Sequence, residues 1–406
     1  MTRHATLASA TALVLAASAC SVTTSGAQCK VDSNCQSGEY CAATSGQVGT
    51  CQECTCTAGL LCSGGAGPQP QCLCPVNMPS LSVWTFYADA SAGTAQGTGV
   101  ETPAQCRFPS IDAALSAANA KGPGSRAIAT GASPSRSMIF QEAGPLAIGP
   151  GVSLTSSSPS AGSYLIAAPS ATTSAPFITV SAGATLSGFQ IQSGSFQGGN
   201  AIQSDCTESG TVSIRNVTVA GNGIGKGGFQ AGVYHSGGCD LDLESSTISG
   251  VNDSAVLLAT TSTSNVTLLN NVLTRNGATT TYQPLSQKGG GLVLSEQVPA
   301  TLVASGNQFY GNAGDQVLVA LASPAVTVSL VGGGDSSACG TTSNLIACYD
   351  TGFVGIFSNA TSLLAEYNQW DVASPSAQNN PPDFFGTVDA SPACPPETGL
   401  TCPPPP

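Results

Sequence analysis

VSIRNVTVAGN (212–222), LDLESSTISGVN (241–252), VTLLNNVLTRN (266–276) and LVASGNQFYGN (302–312) are four copies of one irregular unit, each followed by a second short apolar run. Aligned on their corners, they yield a core column of Val219, Ile248, Leu273 and Phe309, preceded by Ile191. A second column pairs Val212 with Ile214, Leu241 with Leu243, Val266 with Leu268 and Leu302 with Ala304. A third runs Val233, Val256, Leu292, Val317. Within each short run apolar and polar residues alternate, which is the period of a strand with one face buried. Three short strands per repeat, with variable lengths between the columns, predict a solenoid of stacked coils: a parallel β-helix.

In such a stack each side chain sits about 4.8 Å from its equivalent in the next coil, so like packs on like. Asn271 and Asn307 share one slot and Asn276 and Asn312 another. Stacked Asn can satisfy corner backbone groups and each other, so their expected role is structural. TTTYQPLSQKGGG (279–291) is an insert expected to leave the stack as a loop. Beyond residue 330 the pattern loosens. AVTVSLVGGG (325–334) and GFVGIFSNATSLLAEYNQWDV (352–372) read as the last coils, and 373–406 as an irregular Pro-rich tail.

Upstream, residues 75–82 read as a linker and VWTFYAD (83–89) as a strand. In FPSIDAALSAA (108–118), Ser110 is a good N-cap and Asp112 suits the first turn, while Ile111, Ala114, Leu115 and Ala118 share a face and Lys121-Gly122 is a stop. This predicts one helix near 110–121. Strand, loop, this helix, then GVSL (151–154) and LSGFQIQS (186–193) together resemble the entry of pectin-lyase-like right-handed parallel β-helix proteins. The resemblance spans 83–372 and implies an all-β, three-sided solenoid whose open end is plugged by the helix. An uncovered first coil would expose apolar interior and an unpaired edge.

The N-terminus carries a basic Met1-Thr-Arg-His, an apolar run over 5–16, and Ala17-Ser18-Ala19 before Cys20. Residues 1–19 therefore read as an export signal. The segment resembles a bacterial lipoprotein signal, although Ala17 stands where that motif most often has Leu. The resemblance implies lipidation of Cys20, and Ser21 after it implies outer-membrane retention, at the cell surface or the periplasmic face. Residues 20–28 are then expected as a tether. No stretch has the roughly 18 uninterrupted apolar residues of a membrane span.

Cys29, Cys35, Cys41, Cys51, Cys54, Cys56, Cys62, Cys72 and Cys74 crowd into 29–74, where CxxGxxC-x9-C occurs twice in tandem. So short a segment cannot bury enough apolar surface to fold without cross-links, so a disulfide-rich module is expected. Nine Cys is an odd number, and Cys106 is the nearest tenth. The remaining cysteines fall into sequence-close pairs, Cys206 with Cys239, Cys339 with Cys348 and Cys394 with Cys402, although sequence alone cannot fix connectivity.

Of 406 residues only 8% are charged, with 10 Lys and Arg against 22 Asp and Glu. The net charge of −12 argues against nucleic acid and other polyanions as partners. The best carboxylate cluster is Asp240, Asp242 and Glu244, alternating along one strand, with Arg215 beside Glu244 on the preceding coil. Their spacing of about 7 Å suits an inverting acid and base, but every i, i+2 strand pair has it. His235 is the one histidine outside the signal. Lyases of the resembled family use Ca2+ held by several Asp with an Arg or Lys base, and its glycosidases use clustered Asp. Neither set is visible. The leading expectation is a non-catalytic, monomeric surface lipoprotein without cofactor, presenting a β-helix to glycan or protein. The alternatives are a polysaccharide lyase or glycoside hydrolase, with Ca2+ in the lyase case, and a structural envelope spacer.

Overall fold

The computed structural model describes residues 21–29, 39–42, 48–55, 61–63, 71–80, 83–131, 137–158, 163–206, 208–223, 225–260, 264–283, 285–297, 301–321, 327–330, 339, 342–349, 352–379, 382–396 and 402. The signal segment and Cys20 lie outside these residues. The chain divides into two compact units, Met1–Val76 and Asn77–Pro406.

In the first unit the duplicated cysteine motif becomes a duplicated hairpin. Glu39–Ala42 pairs antiparallel with Gly49–Thr55, setting Cys41 opposite Cys51, and Leu61–Ser63 pairs with Gln71–Leu73, setting Cys62 opposite Cys72. Cys41, Cys51 and Cys74 are disulfide-bonded. Within the segment expected as a lipid-anchored tether, Ser21–Cys29 forms a strand that runs antiparallel to Gly49–Thr55, with Ser21 opposite Thr55. Val22, Thr23 and Thr24 favour extended backbone, and a neighbouring unpaired edge was there to be used.

The second unit is a three-sided parallel β-helix, its coils hydrogen-bonded edge to edge into one sheet of eight strands and two of nine. All three columns read from the sequence are in register. Ile191, Val219, Ile248, Leu273 and Phe309 stack in one sheet. Val212 and Ile214 lie on Leu241 and Leu243, then on Val266 and Leu268, then on Leu302 and Ala304. Val233, Val256, Leu292 and Val317 form the third. These side chains are almost wholly buried, except for Leu302, which is packed against the core from its edge.

The corner between the first two sheets shows why Asn recurs. Asn216, Ser245, Asn270 and Gly306 turn the chain with φ between 52° and 67°, the left-handed region favoured by Gly and Asn. The next residue points inward. There Asn271, Asn307, Asn344 and Asn368 form a buried ladder in which each Oδ1 accepts the backbone N–H of the coil before. Asn307 donates Nδ2 to Leu268 O at 2.8 Å and to Asn344 Oδ1 at 2.9 Å. A second ladder joins Asn276 to Asn312 at the following corner, and Gln316 ends it by accepting from Asn312 Nδ2 at 2.7 Å. Buried corner amides thereby find the partners that a sheet cannot supply there.

The helix Ile111–Lys121 packs on the first coils, with Ile111, Ala114, Leu115 and Ala118 buried. Ser110 Oγ accepts from Ala113 N, as its position predicts. A second cap was not legible: Glu142, 4% exposed and some thirty residues away, receives Ile111 N and Asp112 N on its two oxygens. Burial raises its pKa while those two bonds oppose the rise.

Three expectations about the edges of the coil stack are corrected. The 279–291 insert does not leave the stack; Tyr282 folds back with Val293, Leu318 and Ala320 into a small outer core, because those outward strand positions are apolar and would otherwise face water. The tail is not wholly irregular: Phe384–Phe385 and Val388–Asp389 pair in parallel with Ile356–Ser358 and Ser362–Leu364, adding part of another coil. The sequence-close cysteine pairs at the C-terminus are not the bonded ones. Cys339 is joined to Cys394 and Cys348 to Cys402, since the returning tail lies against the preceding coil rather than closing on itself. Cys206 is bonded to Cys239 on the next coil, and Cys106 is also disulfide-bonded.

Candidate functional site

The acidic strip lies on an outer sheet face. Along Asp240–Glu244, Leu241 and Leu243 turn inward while Asp240, Asp242 and Glu244 remain partly exposed. Arg215 reaches both neighbours, Nη2 to Asp242 Oδ2 at 3.6 Å and Nε to Glu244 Oε2 at 3.4 Å. Asp240 Oδ1 accepts from Asn265 N at 2.7 Å and Nδ2 at 3.0 Å. Each carboxylate thus has a neighbour on the adjoining coil, and exposed pairs of this kind contribute about 0–1 kcal/mol. The strip does not fit Ca2+. Its carboxylates are spread at about 7 Å along a strand, whereas the ion takes six to eight converging oxygens. Cys348, Asp371 and Cys402 also converge, but the two sulfurs are bonded to each other, and Asp371 accepts from Cys348 N.

His235 points into the coil interior and is fully buried. Its Nε2 donates to Cys239 O at 3.1 Å and its Nδ1 accepts from Ser204 Oγ at 2.6 Å, a tautomer set by the carbonyl, which can only accept. Burial lowers its pKa from 6.5 to about 4. The Ser204–His235 distance would suit a nucleophile and its base, but both groups are sealed from solvent, so the pair serves packing.

One concave feature among the described residues of the β-helix lies elsewhere, where the chain turns into the third sheet. A groove of about 770 Å³ is lined by Thr172, Thr173, Ser174, Gln197, Asn200 and Gln230, with Gly198, Gly199 and Gly227 completing its wall. None of these residues is ionisable. The floor is held from below by three buried rings: Phe177, Phe196 and Phe229 meet with centroids 5.4–6.1 Å apart. Phe196 directly precedes Gln197 and Phe229 directly precedes Gln230, so each buried ring fixes the backbone that presents an amide to the groove. A Cβ at Gly198 or Gly199 would collide with the carbonyl oxygens of Thr173 or Ala175, so the coils approach here as closely as glycine allows.

The groove brings together none of Arg215, Asp240, Asp242, Glu244 and His235. Its residues drew no attention because each is an ordinary surface type. The available signal was the near-repeat FQGG (196–199) and FQAG (229–232), which breaks the strand alternation with an aromatic, an amide and small residues.

Among solved structures, the A-module of the mannuronan C-5 epimerase AlgE6 from Azotobacter vinelandii is similar at 14% identity, covering 71% of this chain and 95% of that chain, with a TM-score of 0.29. A superposition that loose does not bear on site or activity. No curated protein sequence matches the chain. Residues 171–331, which contain the whole groove, match the family model described as a right handed beta helix region. With that match and the three stacked parallel sheets, the second unit is a right-handed parallel β-helix.

Proposed function

We propose that this is an exported glycan-binding protein that takes a neutral carbohydrate in the Thr172–Gln230 groove and is held to the outer membrane through lipid on Cys20. One observation carries the reading: a concave site of ligand size is lined by amide and hydroxyl side chains and by no charge. Amides and hydroxyls match the alternating donors and acceptors of a sugar, and 770 Å³ falls within the usual range of ligand sites. The net charge of −12 further disfavours uronate polymers against neutral ones. Binding is favoured over cleavage because the carboxylates of the acidic strip lie outside the groove.

A glycan array of neutral and uronate polysaccharides, probed with the purified full chain, tests this. Binding to a neutral glycan, weakened about fivefold or more by Gln197→Ala, is expected, since a neutral hydrogen bond contributes about 1 kcal/mol. Binding confined to uronates, or unaffected by Gln197→Ala, would refute the site. Depolymerisation of any polysaccharide, abolished by Asp242→Ala, would replace the reading with an enzymatic one. For the anchor, a Cys20→Ala chain that still carries acyl mass would refute the lipid assignment.

A further inference from the structure

The wall of the groove continues onto the 279–291 insert. Gln230 donates its Nε2 to Thr279 Oγ1 at 3.1 Å and Thr280 Oγ1 at 3.4 Å, and both threonines are exposed. The contact is held by one buried carboxylate. Asp253, 2% exposed, donates its backbone N–H to Gln230 O at 2.8 Å. Its side chain turns the other way, Oδ1 accepting from Thr280 N at 3.0 Å and Oδ2 from the Tyr282 hydroxyl at 2.9 Å. Ser254 Oγ completes the network by donating to the Tyr282 oxygen at 3.1 Å. Tyr282 is in turn fixed by the outer core of Val293, Leu318 and Ala320. The insert is thereby tied at its backbone, at its ring and through Gln230 to the groove.

Successive coils set Thr172, Gln197 and Gln230 along the groove, and the Gln230 side chain leads on to the exposed Thr279 and Thr280 of the insert. Gln197 is opposite Thr172 in parallel register, Gly198 N donates to Gly228 O, and Gln230 N to Gly199 O. The two coil steps from Thr172 to Gln230, about 4.8 Å each, carry the polar track to its contact with the insert. One step is close to the length of a sugar residue in an extended chain, so the track matches a linear oligosaccharide lying parallel to the helix axis.

Resting on the binding reading above, we infer that the site continues from the groove across Thr279 and Thr280, that it takes an extended neutral oligosaccharide rather than a single sugar, and that Asp253 is the positioning residue joining its two parts. A buried carboxylate suits that role because its two oxygens accept from the Thr280 amide and the Tyr282 hydroxyl at once, while its backbone N–H holds Gln230. Asn in its place would turn an N–H toward either the Thr280 amide or the Tyr282 hydroxyl.

The test is calorimetry of the full chain with linear oligomers of β-1,4-glucan, β-1,4-mannan, β-1,3-glucan and α-1,4-glucan, from disaccharide to hexasaccharide. Affinity is expected to rise from the disaccharide to oligomers long enough to reach Thr279 and Thr280 and then to level off. The Thr279→Ala/Thr280→Ala double variant should cut hexasaccharide affinity at least tenfold and leave the disaccharide within twofold. Asp253→Asn should show the same selective loss. Should Asp253→Asn fail to fold, the double variant still decides, since it alters exposed side chains only. Equal affinity for disaccharide and hexasaccharide, or a double variant that weakens all lengths alike or none, would overturn the inference while leaving the groove reading intact. Failure of all four series to bind would remove the groove reading and the inference with it.

Discussion

Replacing Asn307 tests whether the asparagine slots hold the coil stack. Its Oδ1 accepts from Asn271 N at 3.1 Å and Nδ2 at 2.9 Å, and its Nδ2 donates to Leu268 O at 2.8 Å and Asn344 Oδ1 at 2.9 Å, in a site 1% exposed. Asn307→Leu keeps the branched skeleton but strands the Asn271 amide and the Leu268 carbonyl. At about 1–3 kcal/mol for each unpaired buried group, the loss should be about 4 kcal/mol. Asn307→Asp is the sharper probe, because it keeps the acceptor and removes the donor. Ionised, it would set a carboxylate against Leu268 O and Asn344 Oδ1, so its folded pKa must rise. An acid whose folded pKa is raised binds more protons folded than unfolded, so stability is lost as pH climbs from the unfolded value through the folded one. The variant should therefore lie close to the parent at pH 4.5, where a protonated carboxyl can still donate to Leu268 O, and fall several kcal/mol behind it at pH 8. Urea unfolding followed by circular dichroism, always as a difference from the parent at the same pH, measures both. An Asn307→Leu loss below about 1 kcal/mol, or an Asn307→Asp difference that does not change with pH, would refute the ladder as a source of stability.

The parent chain should itself carry a similar slope from Asp315. This residue is 1% exposed, accepts Val354 N on Oδ1, and has no hydrogen-bond partner for Oδ2 among the described residues, and burial raises its pKa from 3.8 to about 7. Stability should fall by up to about 4 kcal/mol as pH rises from about 4 to about 7, and Asp315→Asn should flatten that slope; parallel slopes in urea titrations of the two would count against it. His235 should stay neutral down to about pH 4 in an NMR titration of its ring, and a midpoint near the ordinary 6.5 would mean that the ring reaches solvent. Its lowered pKa means stability is lost as pH falls from 6.5 toward 4, the opposite direction to Asp315. Non-reducing peptide mapping should recover Cys339 linked to Cys394 and Cys348 linked to Cys402; peptides joining Cys339 to Cys348 would contradict the path of the tail.

What could be read from the sequence is what repeats from coil to coil. Val219, Ile248, Leu273 and Phe309 are legible as one column because a strand alternates with period two and each coil stacks on the last, so one-dimensional spacing carries the three-dimensional neighbour. The same logic exposed the Asn slots and the capping helix. It stops wherever a contact depends on how a segment leaves the coil and where it comes back. Glu142 caps a helix across some thirty residues, Tyr282 folds onto an outer sheet face, and the tail cysteines choose coil partners over each other. The groove is of the same kind. Gln197, Gln230 and Thr280 are unremarkable alone, and become one polar track only because Phe177, Phe196 and Phe229 stack beneath and Asp253 bonds in two directions. The acidic strip is the converse case: its charges were the most conspicuous in the sequence, yet register places them on an open face beside Arg215 and Asn265 of the adjoining coils. Local periodicity determined the coil, and the lateral packing of its loops decided where a ligand could sit.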